Sequence, residues 1–93
     1  MLYVISYDIT QPARLRRLAK CCELYGGRIE KSVFELNLDD ARFRLFWNEA
    51  THIIDSSKDA LVAYKICAAC EKDIRLAGTA TRPTTTPSCI FIG

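Results

Sequence analysis

Hydrophobic residues open the chain in a nearly unbroken run, and the spacing then changes from strand-like to helical. Residues 2–7 are short and largely apolar and stop at Asp8, which predicts a strand. Its residues are apolar on both faces apart from Ser6, as suits a central strand covered on both sides. Thr10-Gln11-Pro12 then opens a helix, with a capping hydroxyl and a proline where a first turn tolerates one. Leu15, Leu18, Ala19, Cys22 and Tyr25 follow at helical spacing and predict its buried stripe. Gly26-Gly27 ends the helix by offering a positive-φ position.

Over residues 28–38 the pattern becomes alternating, with Phe34, Leu36 and Leu38 separated by Glu35 and Asn37. One bent strand and two short ones both satisfy it. Residues 37–40 supply a cap and early acids for a second helix, whose apolar face is Phe43, Phe46, Trp47, Ala50, Ile53 and Ile54. Asp55-Ser56-Ser57 closes it. Residues 60–67 form another strand, with Val62, Tyr64 and Ile66 on one face and Leu61, Ala63 and Lys65 on the other; residues 73–77 suggest a further short one. Residues 78–88 are Thr/Pro-rich and read as an extended linker. The chain closes on Cys89, Ile90, Phe91 and Ile92, a strand-like run that needs an edge to pair with. The order β-α-β(β)-α-β implies an α+β sandwich with both helices on one face of the sheet. A single domain over residues 1–78 would then be followed, over 79–93, by a linker and a terminal strand seeking an edge.

Composition adds limits. The 93 residues are 49% hydrophobic and 26% charged, which excludes disorder over most of the chain. No apolar run approaches the ~20 residues that span a bilayer, and the N-terminus lacks a basic leader region, so the expectation is a cytoplasmic protein with no membrane contact. Five cysteines, an odd number with Cys21 and Cys22 adjacent, fit a compartment that keeps thiols reduced. The net charge of +2 is too small to signal nucleic acid by itself, but the charge is segregated. Residues 12–20 hold Arg14, Arg16, Arg17 and Lys20 without an acid, whereas residues 35–59 hold six acids against three bases.

Asp8 sits where a central strand ends, a good place for a carboxylate to meet a hard cation such as Mg²⁺. One carboxylate is a poor site, but a two-fold axis would bring two copies of Asp8 to one ion that activates water. The competing reading is an Asx turn or helix cap. Arg14 and Arg17 are neighbours on a helix, as are Arg16 and Lys20, and both pairs lie off the Leu15/Leu18 stripe. They would meet phosphates without reading sequence, or form an ordinary solvated face. Arg75 and Arg82 are weaker candidates for the same duty. Cys67-x-x-Cys70 is half a zinc site, a redox pair or plain structure, and no second pair with chelating spacing accompanies it. His52 stands alone and receives no role. The sequence has no Gly-rich phosphate loop and no His-Glu-x-x-His motif, and a single histidine gives no basis for a hydrolase triad.

Tyr3-Val4-Ile5-Ser6-Tyr7-Asp8-Ile9-Thr10, the basic helix, Tyr25-Gly26, Lys31-Ser32-Val33-Phe34-Glu35 and Lys65-Ile66-Cys67-x-x-Cys70 together resemble the CRISPR-associated Cas2 family. Glu30 departs from the glutamine that the family often carries before Lys-Ser. The resemblance implies a ferredoxin-like fold and a homodimer in which the C-terminal strand (Cys89, Ile90, Phe91, Ile92) crosses to the partner's sheet. It implies partners as well: the Cas1 integrase, prespacer duplex DNA and the CRISPR array. Some members are described as Mg²⁺- or Mn²⁺-dependent nucleases acting on RNA or duplex DNA, which places catalysis and metal binding on Asp8 of each protomer. Tyr7, Lys31, Ser32 and Phe34 would support that site, with Phe34 either lining the dimer seam or packing within the strand. The alternative is a stand-alone toxin-type or regulatory ribonuclease dimer outside CRISPR.

Overall fold

A computed structural model describes residues 1–82. The elements run β1 (Leu2–Asp8), α1 (Pro12–Tyr25), β2 (Gly27–Glu30), β3 (Val33–Asn37), α2 (Asp40–Ile53), β4 (Ala60–Ile66) and a short α3 (Ala68–Glu71). The strands form one sheet in the order β2-β3-β1-β4, with every neighbouring pair antiparallel. This is the ferredoxin-like arrangement, two interleaved βαβ units with the first strand near the middle. The alternating region resolves into two strands, joined at Lys31-Ser32 and kinked by an irregular register between Arg28 and Glu30.

Strand alternation assigns the two faces. Tyr3, Ile5 and Tyr7 of β1 and Phe34 and Leu36 of β3 enter the core, where they meet Leu18, Cys21 and Cys22 of α1 and Phe46 and Ala50 of α2. Tyr3 stacks on Phe43 with ring centroids 4.0 Å apart, and Tyr25 meets Phe46 edge-on at 5.4 Å. The other parity, Val4, Ser6 and Asp8 with Ala60, Val62 and Tyr64, lies on the face without helices. Val62 and Tyr64 are exposed there. Toward β3 that face receives the later chain: Arg82 pairs with Glu35 and Glu71, and the Thr81 N–H donates to the Ile29 carbonyl at 3.0 Å.

Four expectations change. The N-cap of α1 is Gln11, whose side-chain oxygen accepts the Arg14 N–H at 2.7 Å, in place of the Thr10 hydroxyl. Leu15, expected in the buried stripe, is exposed, because the stripe settles on Leu18, Cys21 and Cys22. Residues 73–77 form no strand; α3 takes up the preceding residues, and the amides of Asp73 and Ile74 are spent on the Cys70 and Glu71 carbonyls. Gly26 is extended at φ −170°, not left-handed. A Cβ there would lie 2.1 Å from the Glu35 carbonyl oxygen and 2.5 Å from Leu36 Cδ2, so close approach of α1's end to β3 demands the glycine. The run Cys89, Ile90, Phe91 and Ile92 lies outside the described residues.

The origin of the Gly26 requirement is testable. Chemical denaturation of Gly26→Ala and Gly26→Asn should show losses of about 1–3 kcal/mol for both, as overpacking does. Asparagine tolerated where alanine is not would restore the left-handed explanation.

Candidate functional site

Asp8 is exposed at the last position of β1, opposite Ala60 in the register. Its carboxylate makes no hydrogen bond or ion pair among the described residues, so it caps neither a turn nor α1. The strand end that carries it is held on the β3 side by the Tyr7 N–H, which donates to the Ser32 carbonyl at 3.1 Å. The buried Tyr7 hydroxyl donates to the Lys31 carbonyl at 3.3 Å. Burial pushes the Tyr7 phenol up, so it stays protonated as that donor. Phe34 is fully buried under the helices, stacked on Tyr7 and capped by the Arg28 guanidinium 5.0 Å from its ring centre. That placement is core packing. Glu30 ties the same turn together, accepting from the Lys31 N–H at 2.8 Å and the Thr79 hydroxyl at 3.3 Å.

The four basic residues of α1 divide into two kinds. Arg14 grips Asp59 at the foot of β4 with two hydrogen bonds, Nε to Oδ2 at 2.8 Å and Nη2 to Oδ1 at 3.2 Å. Asp59 also accepts the Asp55 N–H at 2.8 Å, and its side chain is fully enclosed. Hydrogen bonding from Arg14 and then from that amide holds the Asp59 carboxyl below its ordinary value, while Asp59 pushes the Arg14 guanidinium up. Arg16, Arg17 and Lys20 are exposed and make no ion pair among the described residues. Arg17 and Lys20 line a groove between α1 and α2 of about 570 Å³, together with Cys21, Leu24, Glu49 and Ile53. Of the four basic residues of α1, three are therefore uncommitted among the described residues, and Arg14 is committed to the fold. Arg82 is likewise engaged, with Glu35 and Glu71.

Sequence reading missed Asp59. Nothing local marks it, since its partner lies 45 residues away, and only the closing of α1 over the β4 entrance brings the two together. Cys67 caps α3, and among the described residues no group of three histidine, cysteine or carboxylate side chains is poised for a metal. Asp8 thus stands in one chain without two further such ligands among the described residues. No helix among the described residues is long and apolar enough to cross a membrane.

The class defined by this architecture is a small ferredoxin-like α+β domain with a cationic first helix and an unspent carboxylate at the end of its central strand. The family model for CRISPR associated protein Cas2 matches residues 1–74. A CRISPR-associated endoribonuclease Cas2 of Chloroflexus aurantiacus is 36% identical over 93 residues, covering 99% of this chain and all of that one. A CRISPR-associated endonuclease Cas2 of Halalkalibacterium halodurans is 38% identical over 71 residues, 71% of this chain and 74% of its own. The crystal structure of Streptococcus pyogenes Cas2 superposes with a TM-score of 0.77 at 30% identity, covering 84% of this chain and 100% of that one. The chain belongs to the Cas2 family.

The Arg14–Asp59 pair has a pH signature. A carboxyl whose pKa falls on folding stabilises the fold above its unfolded pKa, here ordinarily 3.8, and that stability is lost as pH drops through the lowered folded value. Asp59→Asn should lower Tm by several degrees at pH 7, and wild type should converge on it as pH falls below about 4. A gap that is independent of pH would show that the pair does not hold the two elements together.

Proposed function

We propose that the chain acts as a homodimer that binds nucleic acid along α1 and cuts it at a site shared by Asp8 of both copies. The observation that carries this reading is that Asp8 lies on the same helix-free face as the exposed Val62 and Tyr64. An apolar sheet face of this kind is covered by a second copy at low cost. A two-fold axis beside it draws two Asp8 carboxylates together, with no neighbouring cation among the described residues to neutralise either.

Two carboxylates, with water completing the shell, fit Mg²⁺ or Mn²⁺, hard cations that accept few protein ligands. Such an ion, when bound, supplies Lewis-acid polarisation of a phosphoryl oxygen. The chain's own contribution is to hold Asp8 still through the Tyr7–Ser32 and Tyr7–Lys31 bonds. Arg16, Arg17 and Lys20 neutralise phosphates and fix the substrate's path without selecting sequence. The relatives' names, endoribonuclease and endonuclease, support nuclease activity, and the substrate of this reading is RNA or duplex DNA. Within CRISPR adaptation, the same dimer would bridge Cas1 integrase dimers and hold prespacer DNA for insertion into the array. The unpaired row on α1 supports that reading.

Cleavage and binding should separate by mutation. Asp8→Asn in a folded dimer should abolish metal-dependent cleavage of single-stranded RNA or duplex DNA, as a chelator does, while leaving duplex affinity within about twofold. Cleavage that survives Asp8→Asn would remove the shared site. Arg16→Gln with Arg17→Gln should weaken duplex binding and flatten its dependence on log salt by about 0.9 for every phosphate that the dimer no longer neutralises. Because Arg14 belongs to the fold, Arg14→Gln should cost Tm first. An unchanged salt slope in the Arg16/Arg17 variant would move the interface elsewhere.

A further inference from the structure

The four cysteines among the described residues fall into two chemical kinds. Cys21 and Cys22 are buried in the core, and burial pushes their thiols up to about 11 and about 12. They stay protonated and inert near neutrality. Cys67 and Cys70 are exposed, three residues apart, at the turn where β4 passes into α3. The Cys70 N–H donates to Cys67 Sγ at 3.4 Å, and the Cys67 carbonyl accepts the Glu71 N–H at 2.9 Å, so the backbone wraps the first sulfur. No third cysteine, histidine or carboxylate joins the two among the described residues, so one chain does not build a metal shell there. An accessible dithiol in a Cys-x-x-Cys turn, without metal partners among the described residues, is suited to disulfide exchange.

We propose that Cys67 and Cys70 form a redox-active dithiol, with Cys67 the attacking sulfur and Cys70 the resolving one, whose substrates are small-molecule disulfides of the glutathione class. The asymmetry between the two sulfurs assigns the roles. Amide donation from Cys70, and then its thiol, lowers the Cys67 pKa, whereas the hydrogen bond to Cys67 raises that of Cys70. In the first step the Cys67 thiolate attacks one sulfur of the disulfide; a Cys67–glutathione S–S bond forms and one glutathione thiolate leaves. In the second, Cys70 gives its proton to solvent and its sulfur attacks Cys67 Sγ. The intramolecular disulfide forms and the second glutathione leaves as thiolate. The protein loses two electrons and two protons, and the glutathione disulfide is reduced to two thiols. The site lies outside the residues assigned to cleavage and phosphate contact, so it stands or falls independently of them.

The test equilibrates the full chain with oxidised glutathione, traps remaining thiols with a maleimide, and reads peptides by mass spectrometry. Cys89 is removed in parallel as Cys89→Ser so that it supplies no alternative partner. A Cys67–Cys70 disulfide is expected in both backgrounds. Cys70→Ser should halt at a glutathione adduct on Cys67, and Cys67 should alkylate faster than Cys70 at neutral pH, in line with its greater thiolate fraction. Both cysteines remaining maleimide-labelled after oxidation would overturn the proposal. So would a bridge that depends on Cys89, or an adduct on Cys70 with Cys67 untouched. Unchanged labelling of Cys21 and Cys22 confirms that the reacting protein is folded.

Discussion

The exposure of Asp8 depends on the register of β1. Strand alternation is strict, and burying Tyr3, Ile5 and Tyr7 beneath two helices forces Val4, Ser6 and Asp8 to the opposite face. A slip by one residue would put Asp8 into the core, where an unpaired carboxylate is very costly. The register is pinned from both sides, by five paired positions with β3 and seven with β4. The Tyr7 hydroxyl and amide then fasten the end of the strand to Lys31 and Ser32. Asp8 is exposed because Tyr7 is not.

The same economy governs the charged residues. A basic helix looks uniform in sequence, yet its first arginine serves the fold and the next three cations face solvent. Arg14 meets an enclosed Asp59, and such a pair is strongly coupled to the structure, because removing either partner strands the other. Arg16, Arg17 and Lys20 carry no such obligation among the described residues, and a polyanion can use them without dismantling anything. One helix thus carries both a cation spent on the fold and cations left to solvent.

Much of this was legible in the sequence. The elements β1, α1, α2 and β4, the central position of β1 and the face that α2 buries follow from periodicity, because burial selects the same residues that the pattern marks, whereas the division of residues 28–38 into two strands does not. The placement of Asp8 at a strand end was legible for the same reason. What periodicity misses is tertiary. Asp59 is one acid among six in its stretch until α1 lands above it. Gly26 resembles any helix-ending glycine until the Glu35 carbonyl is found 2.1 Å from where its Cβ would be. Leu15 fits the helical stripe in sequence, but the residues that α1 buries are Leu18 and the two cysteines. Residues 73–77 alternate like a strand, yet no sheet edge takes them up in place of the turn bonds to Cys70 and Glu71.

The central claim is that one chain holds half a cation site and that Asp8 completes it only as a pair. Counting Mn²⁺ bound to the purified dimer, by calorimetry with electron paramagnetic resonance, tests that claim most directly. The account predicts one ion per two chains, lost in Asp8→Asn while the dimer persists. One ion per chain, or an ion retained without the Asp8 carboxylate, would contradict it.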